Sequence, residues 1–198
     1  MTIIEDAIVR GAVKSYKAYI GMTGYELYHA PEHFIETMIA LELCASGYYV
    51  FSNASLRKIR EDIEESNSKA KKMDNLAAGS AIRKLALRHG AKRPDLTVFR
   101  KTSSAIAAVV EIKRSWSFRP VKMDAEKIER IAESKEIEPQ NGYIVVYSDA
   151  KRMNTLPNTF ENWAKRTGWT LHTAKILTKR REEWQRGFCV LHKRFKSQ

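Results

Sequence analysis

The sequence predicts a single α/β domain in which a mixed β-sheet is flanked by helices. Segments with apolar residues at helical spacing alternate with short segments rich in branched and aromatic residues, such as residues 142–147. The length of 198 residues and the hydrophobic fraction of 43% suit one domain with a substantial core. No internal repeat, low-complexity block or clear linker divides the chain.

The first elements follow from periodicity and from helix-ending residues. Residues 2–20 carry an apolar stripe at helical spacing, so a helix is expected there. A second helix is expected from Pro31 to Ser46, because proline suits a first turn and Gly47 suits a helix end. That helix is apolar on most sides, which predicts burial. A short strand is expected over 48–52.

The remaining elements are predicted in the same way. Residues 178–185 are basic and are expected to be helical or irregular. The other expected elements are helices at 54–66 and 75–88, strands at 93–99 and 107–113, a helix at 123–134, a strand at 142–147, a helix at 157–167, and strands at 169–177 and 188–192.

The strands at 93–99 and 107–113 carry acids at positions where a buried strand does not normally hold them. Asp95 opens the first strand, and Glu111 lies near the end of the second. Residues two apart in a strand share a face, so Glu111 and Lys113 point the same way. A hairpin brings the start of the first strand beside the end of the second. We therefore expect Asp95, Glu111 and Lys113 to form one cluster.

Two carboxylates and one ammonium group suit phosphate chemistry. Carboxylates bind Mg²⁺, which favours oxygen ligands and keeps several waters. The ion lowers the pKa of a bound water and neutralises charge on a phosphate. Lys113 could orient or deprotonate that water, or stabilise the transition state. The alternative is structural: Asp95 caps a turn, and Glu111 and Lys113 form an exposed pair at a strand end.

The helix that follows Pro31 supplies a candidate third carboxylate. Glu36 shares a face with Ile39 and Leu43, and a buried carboxylate there needs a partner such as a metal ion. The alternative places Glu36 in an exposed first turn that the helix dipole favours. Glu32 is the second choice for the role, and Glu42 is expected to face solvent.

These residues resemble a known signature. Pro94-Asp95 followed by Glu111-Ile112-Lys113 resembles the motif of the PD-(D/E)XK nuclease superfamily. The helix bearing Glu36, running into the segment 47–50, is similar to that of archaeal Holliday-junction resolvases. The resemblance covers residues 31–148. It implies a restriction endonuclease-like fold and a metal-dependent endonuclease that hydrolyses DNA phosphodiester bonds.

The resemblance also implies roles for individual residues. The catalytic set is Asp95, Glu111, Lys113 and Glu36, and Mg²⁺ is the expected cofactor, with Mn²⁺ as a substitute. The expected metal ligands are Asp95, Glu111, Glu36 and the backbone carbonyl of Ile112. Lys127, near the inward edge of a later helix, is an additional candidate.

The resemblance divides the single domain 1–198 into parts. The catalytic core is 31–52 plus 93–148. The N-terminal helix and linker occupy 1–30, and a basic helical insertion at 53–92 separates the first two core strands. Residues 149–198 form a C-terminal extension.

The distribution of charge points to a polyanionic partner. The formal net charge is +12, and residues 53–93 alone hold eleven basic against five acidic residues. Such residues bind phosphates without reading sequence. A solvated basic surface, or a helical hairpin that makes oligomer contacts, is the alternative. The candidate nucleic-acid contacts are Arg57, Lys58, Arg60, Lys69, Lys71, Lys72, Arg83, Lys84, Arg88, Lys92, Arg114 and Trp116.

Other features bound the cellular setting. The cysteines Cys44 and Cys189 are isolated in apolar surroundings, and no secretory signal or membrane span is evident, so a reduced, cytoplasmic protein is expected. The phosphate-binding and dinucleotide-binding glycine motifs are absent, so no nucleotide cofactor is expected. The histidines receive no role. A homodimer is expected, since enzymes that cut both strands commonly dimerise.

Two alternatives to a DNA-cutting enzyme stay open at this point. One is a non-catalytic module that uses a nuclease-like fold to bind nucleic acid or protein. The other is a nuclease that cuts RNA, because no feature of the sequence separates the two nucleic acids.

Overall fold

The structure is a computed structural model that describes residues 2–24, 30–52, 94–101, 106–114, 118–133, 139–148, 156–181 and 184–195. The insertion at 53–92, with its two predicted helices, lies outside the described residues, as does Trp116. Within the described ranges the protein is a mixed α/β fold, which confirms the predicted class.

The described part contains four helices and six strands. In chain order they are α1 (Ile3–Thr23), α2 (Glu32–Ala45), β1 (Tyr48–Ser52), β2 (Leu96–Arg100), β3 (Ile106–Arg114), α3 (Phe118–Ala132), β4 (Asn141–Ser148), α4 (Leu156–Thr167), β5 (Thr170–Arg181) and β6 (Trp184–Arg194).

The strands form one open sheet in the order β1-β2-β3-β4-β6-β5. Strands β3 and β4 are parallel, and α3 makes the crossover between them. The other neighbouring pairs are antiparallel. Strands β3 and β4 therefore lie at the centre of the sheet, covered by neighbours on both sides.

Helices cover both faces of the sheet. One core contains Ile8 of α1, Ile39 of α2 and Val110 of β3. The opposite core contains Ile128 of α3 and Phe160 of α4. This two-sided burial explains why β3 and β4 are almost continuously apolar.

The ends of the helices have local causes. Thr2 and Glu5 form a capping box at the start of α1, which satisfies backbone N–H groups that the first turn leaves free. The helix ends at Gly24, whose φ of 68° lies in the left-handed region. Helix α3 begins at Phe118, five residues before the predicted start, because Pro120 is tolerated in a first turn.

Two expectations about elements are wrong. Helix α2 buries only one side, because Leu41 is 58% exposed and Cys44 is also exposed. Residues 178–181 continue β5 and residues 184–185 begin β6, where helical or irregular structure was expected. Backbone pairing between these two strands prevails over the local excess of charge.

The close contact of α1 with α2 depends on Gly11. A Cβ atom added there would lie 2.6 Å from the Cα of Ile39, so Gly11→Ala forces the two helices apart. We expect a loss of about 1–3 kcal/mol in the free energy of unfolding, measured by urea denaturation.

Gly21→Ala in the same helix is the matched control. A Cβ there meets nothing within 4 Å, and alanine favours helix over glycine by up to about 1 kcal/mol. Equal effects of the two substitutions on stability would contradict the close packing of α1 on α2.

Candidate active site

The hairpin of β2 and β3 brings Asp95 beside Glu111. The final pair of this ladder is Leu96 with Val110, so the next antiparallel position joins Asp95 and Glu111. The backbone N–H of Ile112 donates to Asp95 Oδ2 at 2.6 Å, which fixes the carboxylate at the end of the sheet. In an extended strand the N–H and carbonyl of one residue point to the same side. The Ile112 carbonyl therefore lies on the Asp95 side of β3.

Lys127 of α3 is the direct cationic partner of Glu111. Its Nζ lies 2.6 Å from Glu111 Oε1, and the two side chains are only 16% and 2% exposed. Because an ionised carboxylate is costly to bury without a partner, the ammonium group of Lys127 offsets part of the cost of ionising Glu111. Lys127 is thus placed at the cluster, although the sequence ranked it as only an additional candidate.

Lys113 points to the same side of the sheet but contacts a different acid. Its Nζ lies 3.4 Å from Asp124 Oδ2 of α3, and both side chains are partly buried. Asp124 was not predicted from the sequence as a site residue. A signal was available, because Asp124 and Lys127 are three residues apart and so share one face of the helix.

Helix α2 brings Glu36 to the other side of Asp95. The Glu36 side chain is buried, and its Oε2 lies 3.1 Å from His33 Nδ1. After burial, the charge of Glu36 also contributes to the raised pKa of Asp95. Glu32 instead accepts a hydrogen bond from the backbone N–H of Arg114 at 3.1 Å. The structure therefore brings Glu36 to the cluster and leaves Glu32 in a supporting position at its edge.

Glu42 is placed away from the cluster, in contact with solvent and with Arg10 and Lys14 of α1. The hydrogen bond from Lys14 is the largest cause that lowers the pKa of Glu42, and the hydrogen bond from Arg10 is the second. The prediction that Glu42 faces solvent is therefore wrong in part: its side chain is only 13% exposed, because it joins α1 to α2 through these two contacts.

Burial determines the electrostatics of the cluster. It raises the pKa of Glu111 to about 8, with a further rise from the charge of Asp95 that Lys127 opposes. Burial also raises the pKa of Asp95 and of Asp124. For Lys113, burial lowers the pKa, but the charges of Asp124, Glu32 and Asp95 outweigh it and leave the pKa raised.

The donor atoms of the cluster fit a hard cation. Among the described residues, the buried Glu36 Oε1 has neither a hydrogen bond nor an ion-pair partner, whereas Glu111 Oε1 and Asp124 Oδ2 face the ammonium groups of Lys127 and Lys113. Carboxylate oxygens are the ligands that Mg²⁺ favours. Within the described ranges, no three of these acids bring one oxygen each within 4.8 Å of one another. The arrangement suits an ion held by two carboxylates and by waters.

Most of the predicted nucleic-acid contacts lie outside the described residues. These are the basic residues of the insertion and Trp116. Arg114 is described, and it is exposed at the end of β3, with its guanidinium 3.4 Å from the carbonyl of Ala30. It thus lies beside the cluster, on the surface.

No family model, curated protein or solved structure matches this chain. Within the described ranges of the chain, no helix has the length and apolar character needed to cross a membrane.

The burial of Glu111 predicts a pH-dependent difference between the wild type and Glu111→Gln. With a pKa of about 8 when folded against 4.5 when unfolded, only the folded chain keeps the proton in that interval. The contribution of Glu111 to the free energy of unfolding therefore falls as pH rises, by at most about 1.4 kcal/mol per pH unit. In EDTA, the stability of Glu111→Gln relative to the wild type should rise from pH 4.5 to about 8 and then level off.

Chemical denaturation across this pH range measures the difference directly. Glu126→Gln on the exposed face of α3 is the control, because water already hydrates that carboxylate. A difference for Glu111→Gln that stays constant from pH 4.5 to 8 would contradict the buried, proton-binding carboxylate.

Proposed function

We propose that this protein is a Mg²⁺-dependent endonuclease that hydrolyses phosphodiester bonds of DNA by a PD-(D/E)XK mechanism. The observation that carries the proposal is the pairing of Asp95 with Glu111 at the end of the β2–β3 ladder. Two lysines reach the same place, and the buried Glu36 Oε1 there has no hydrogen-bond or ion-pair partner among the described residues. In the structural alternative, Asp95 caps a turn and Glu111 forms an exposed pair with Lys113. That alternative does not explain why Glu111 is buried.

The carboxylates have distinct parts in this proposal. Asp95 and Glu111 would hold Mg²⁺ directly, with the carbonyl of Ile112 as a further ligand and Glu36 acting through water. When bound, Mg²⁺ supplies an activated water and neutralises charge on the phosphate. The hydrogen bond from Ile112 keeps the Asp95 carboxylate in position before the ion arrives.

Lys113 acts as a charged hydrogen-bond donor. Its raised pKa keeps the side chain protonated at neutral pH, which disfavours a role as general base. The ammonium group can orient the attacking water and stabilise negative charge on the phosphate in the transition state. Asp124, 3.4 Å away, holds it in place and is the proposed positioning residue.

The proposed substrate class follows from the chemistry of the site and from charge. A net charge of +12 favours a polyanion, and hard oxygen ligands favour phosphoryl chemistry. We assign DNA as the substrate and a homodimer as the active form for cutting both strands. The corresponding fold proposal is a restriction endonuclease-like core built from β1 to β4 with α2 and α3.

The test is cleavage of supercoiled plasmid and of short duplex, branched and single-stranded DNAs in Mg²⁺, Mn²⁺ or EDTA. We expect cutting that depends on the divalent ion. Lys113→Ala should lower the rate by about 10²- to 10³-fold and leave DNA binding nearly unchanged. Asp95→Asn should remove both the activity and its dependence on the ion.

Lys122→Ala is the matched control, because Lys122 is an exposed lysine of α3 that pairs only with Glu126 in the described part of the chain. It should cut like the wild type. Equal cleavage by Lys113→Ala and Lys122→Ala would disprove the assignment of Lys113. Binding of DNA that weakens steeply with salt, without cleavage in any ion, would favour a non-catalytic binding module, and preferential cutting of RNA would correct the substrate.

Substitution of Lys127 is expected to change the Mg²⁺ concentration that cleavage requires. Its ammonium group compensates Glu111 in the absence of a cation, and it also opposes a second positive charge beside that carboxylate. Lys127→Met should therefore lower the Mg²⁺ concentration that gives half-maximal cleavage, measured at fixed DNA concentration. A rise in that concentration would instead make Lys127 a group that supports ion binding.

A further inference from the structure

A second cluster of metal-binding side chains lies away from the proposed active site. Glu5 of α1, His172 of β5 and His192 of β6 each offer one ligand atom, and these atoms all lie within 4.8 Å of one another. Glu5 Oε1 is 2.7 Å from His172 Nε2 and 3.4 Å from His192 Nδ1. Three elements that are distant in sequence thus converge on one carboxylate oxygen.

Hydrogen bonds fix the orientation of His192. The Asn141 amide Nδ2 donates to the carbonyl of Ala107 at 2.9 Å, so its Oδ1 is left as an acceptor. This oxygen lies 3.0 Å from His192 Nε2, which must therefore carry the hydrogen. In the neutral ring, Nδ1 then presents its lone pair to Glu5 Oε1.

Two lone pairs that face each other need a cation between them. A proton on Nδ1 would satisfy this contact as an ion pair, and a metal ion would satisfy it together with the second imidazole of His172. Ligating histidines characteristically donate their second N–H to a nearby oxygen, as His192 does to Asn141.

A backbone hydrogen bond orients the Glu5 carboxylate toward the two histidines. Its Oε2 accepts from the backbone N–H of Thr2 at 2.6 Å, which leaves Oε1 directed at the two imidazoles. Bond lengths of about 2.0–2.1 Å to Zn²⁺ place tetrahedral ligands about 3.3 Å apart. The distance of 3.4 Å to His192 matches this. His172 needs to move outward slightly, and its side chain is 27% exposed.

We propose that Glu5, His172 and His192 form a binding site for a divalent transition-metal ion of the Zn²⁺ class. Two imidazole nitrogens and one carboxylate suit Zn²⁺, Co²⁺ or Ni²⁺ better than Mg²⁺. The bound ion joins the first turn of α1 to β6 and to the edge strand β5. It lies on the α1 and α2 side of the sheet, whereas Lys127 reaches Glu111 from α3.

The test is titration of the metal-free full chain with Zn²⁺ by calorimetry, and with Co²⁺ by visible absorption. We expect one ion per chain, at least tenfold weaker binding in Glu5→Gln and in His172→Asn, and a higher Tm in Zn²⁺ that both variants lose. Glu5→Gln is informative because glutamine also completes a capping box, so the start of α1 keeps its hydrogen bonds.

Two controls separate this site from others. His33→Asn removes an exposed histidine outside the cluster and should bind Zn²⁺ like the wild type. The double variant Asp95→Asn, Glu111→Gln should also keep the ion, which makes the result independent of the proposed nuclease activity. Zn²⁺ binding that is unchanged in Glu5→Gln and His172→Asn, or lost in the double variant, would overturn the site and leave an ion pair.

Discussion

The burial of the Glu111 carboxylate is the constraint on which the arrangement of the site depends. Strand β3 lies at the centre of the sheet, and Glu111 is 1% exposed, where water cannot stabilise its charge. The nearest compensation comes from Lys127, so α3 must pack on the sheet in one position for the residue to be tolerated. A site that is costly to ionise without a cation is therefore built into the core of the fold.

Asp95 joins the two helical layers at this site. It lies at the end of the sheet. Burial raises the pKa of Asp95, and beyond this the charge of Lys127 from α3 lowers that pKa while the charge of Glu36 from α2 raises it. The hydrogen bond from Ile112 holds the Asp95 carboxylate between these two groups. Because these charged groups come from helices on both sides of the sheet, the cluster forms only when the whole core is folded. Preorganisation of this kind is what electrostatic catalysis requires.

The sequence alone predicted the parts of the site that depend on local pairing. The alternation in 107–113 and the turn before it place Asp95 beside Glu111 without any tertiary information. The partners Asp124 and Lys127 depend on how α3 sits on the sheet, which its sequence does not determine. The exposed Leu41 side of α2 was mispredicted for the same reason, since periodicity gives a stripe but not what covers it. The cluster of Glu5, His172 and His192 brings together three separate segments, and no spacing rule signals it.

The measurement that tests the central claim most directly is calorimetric titration of Mg²⁺ into the wild type and Glu111→Gln at pH 7, in two buffers of different ionisation enthalpy. With a pKa of about 8, Glu111 holds a proton at this pH, and ion binding must displace it. We expect Mg²⁺ binding with proton release in the wild type, and the loss of both in Glu111→Gln. Binding that is unchanged in the variant, or no binding to the wild type, would contradict a metal-dependent site at Asp95 and Glu111.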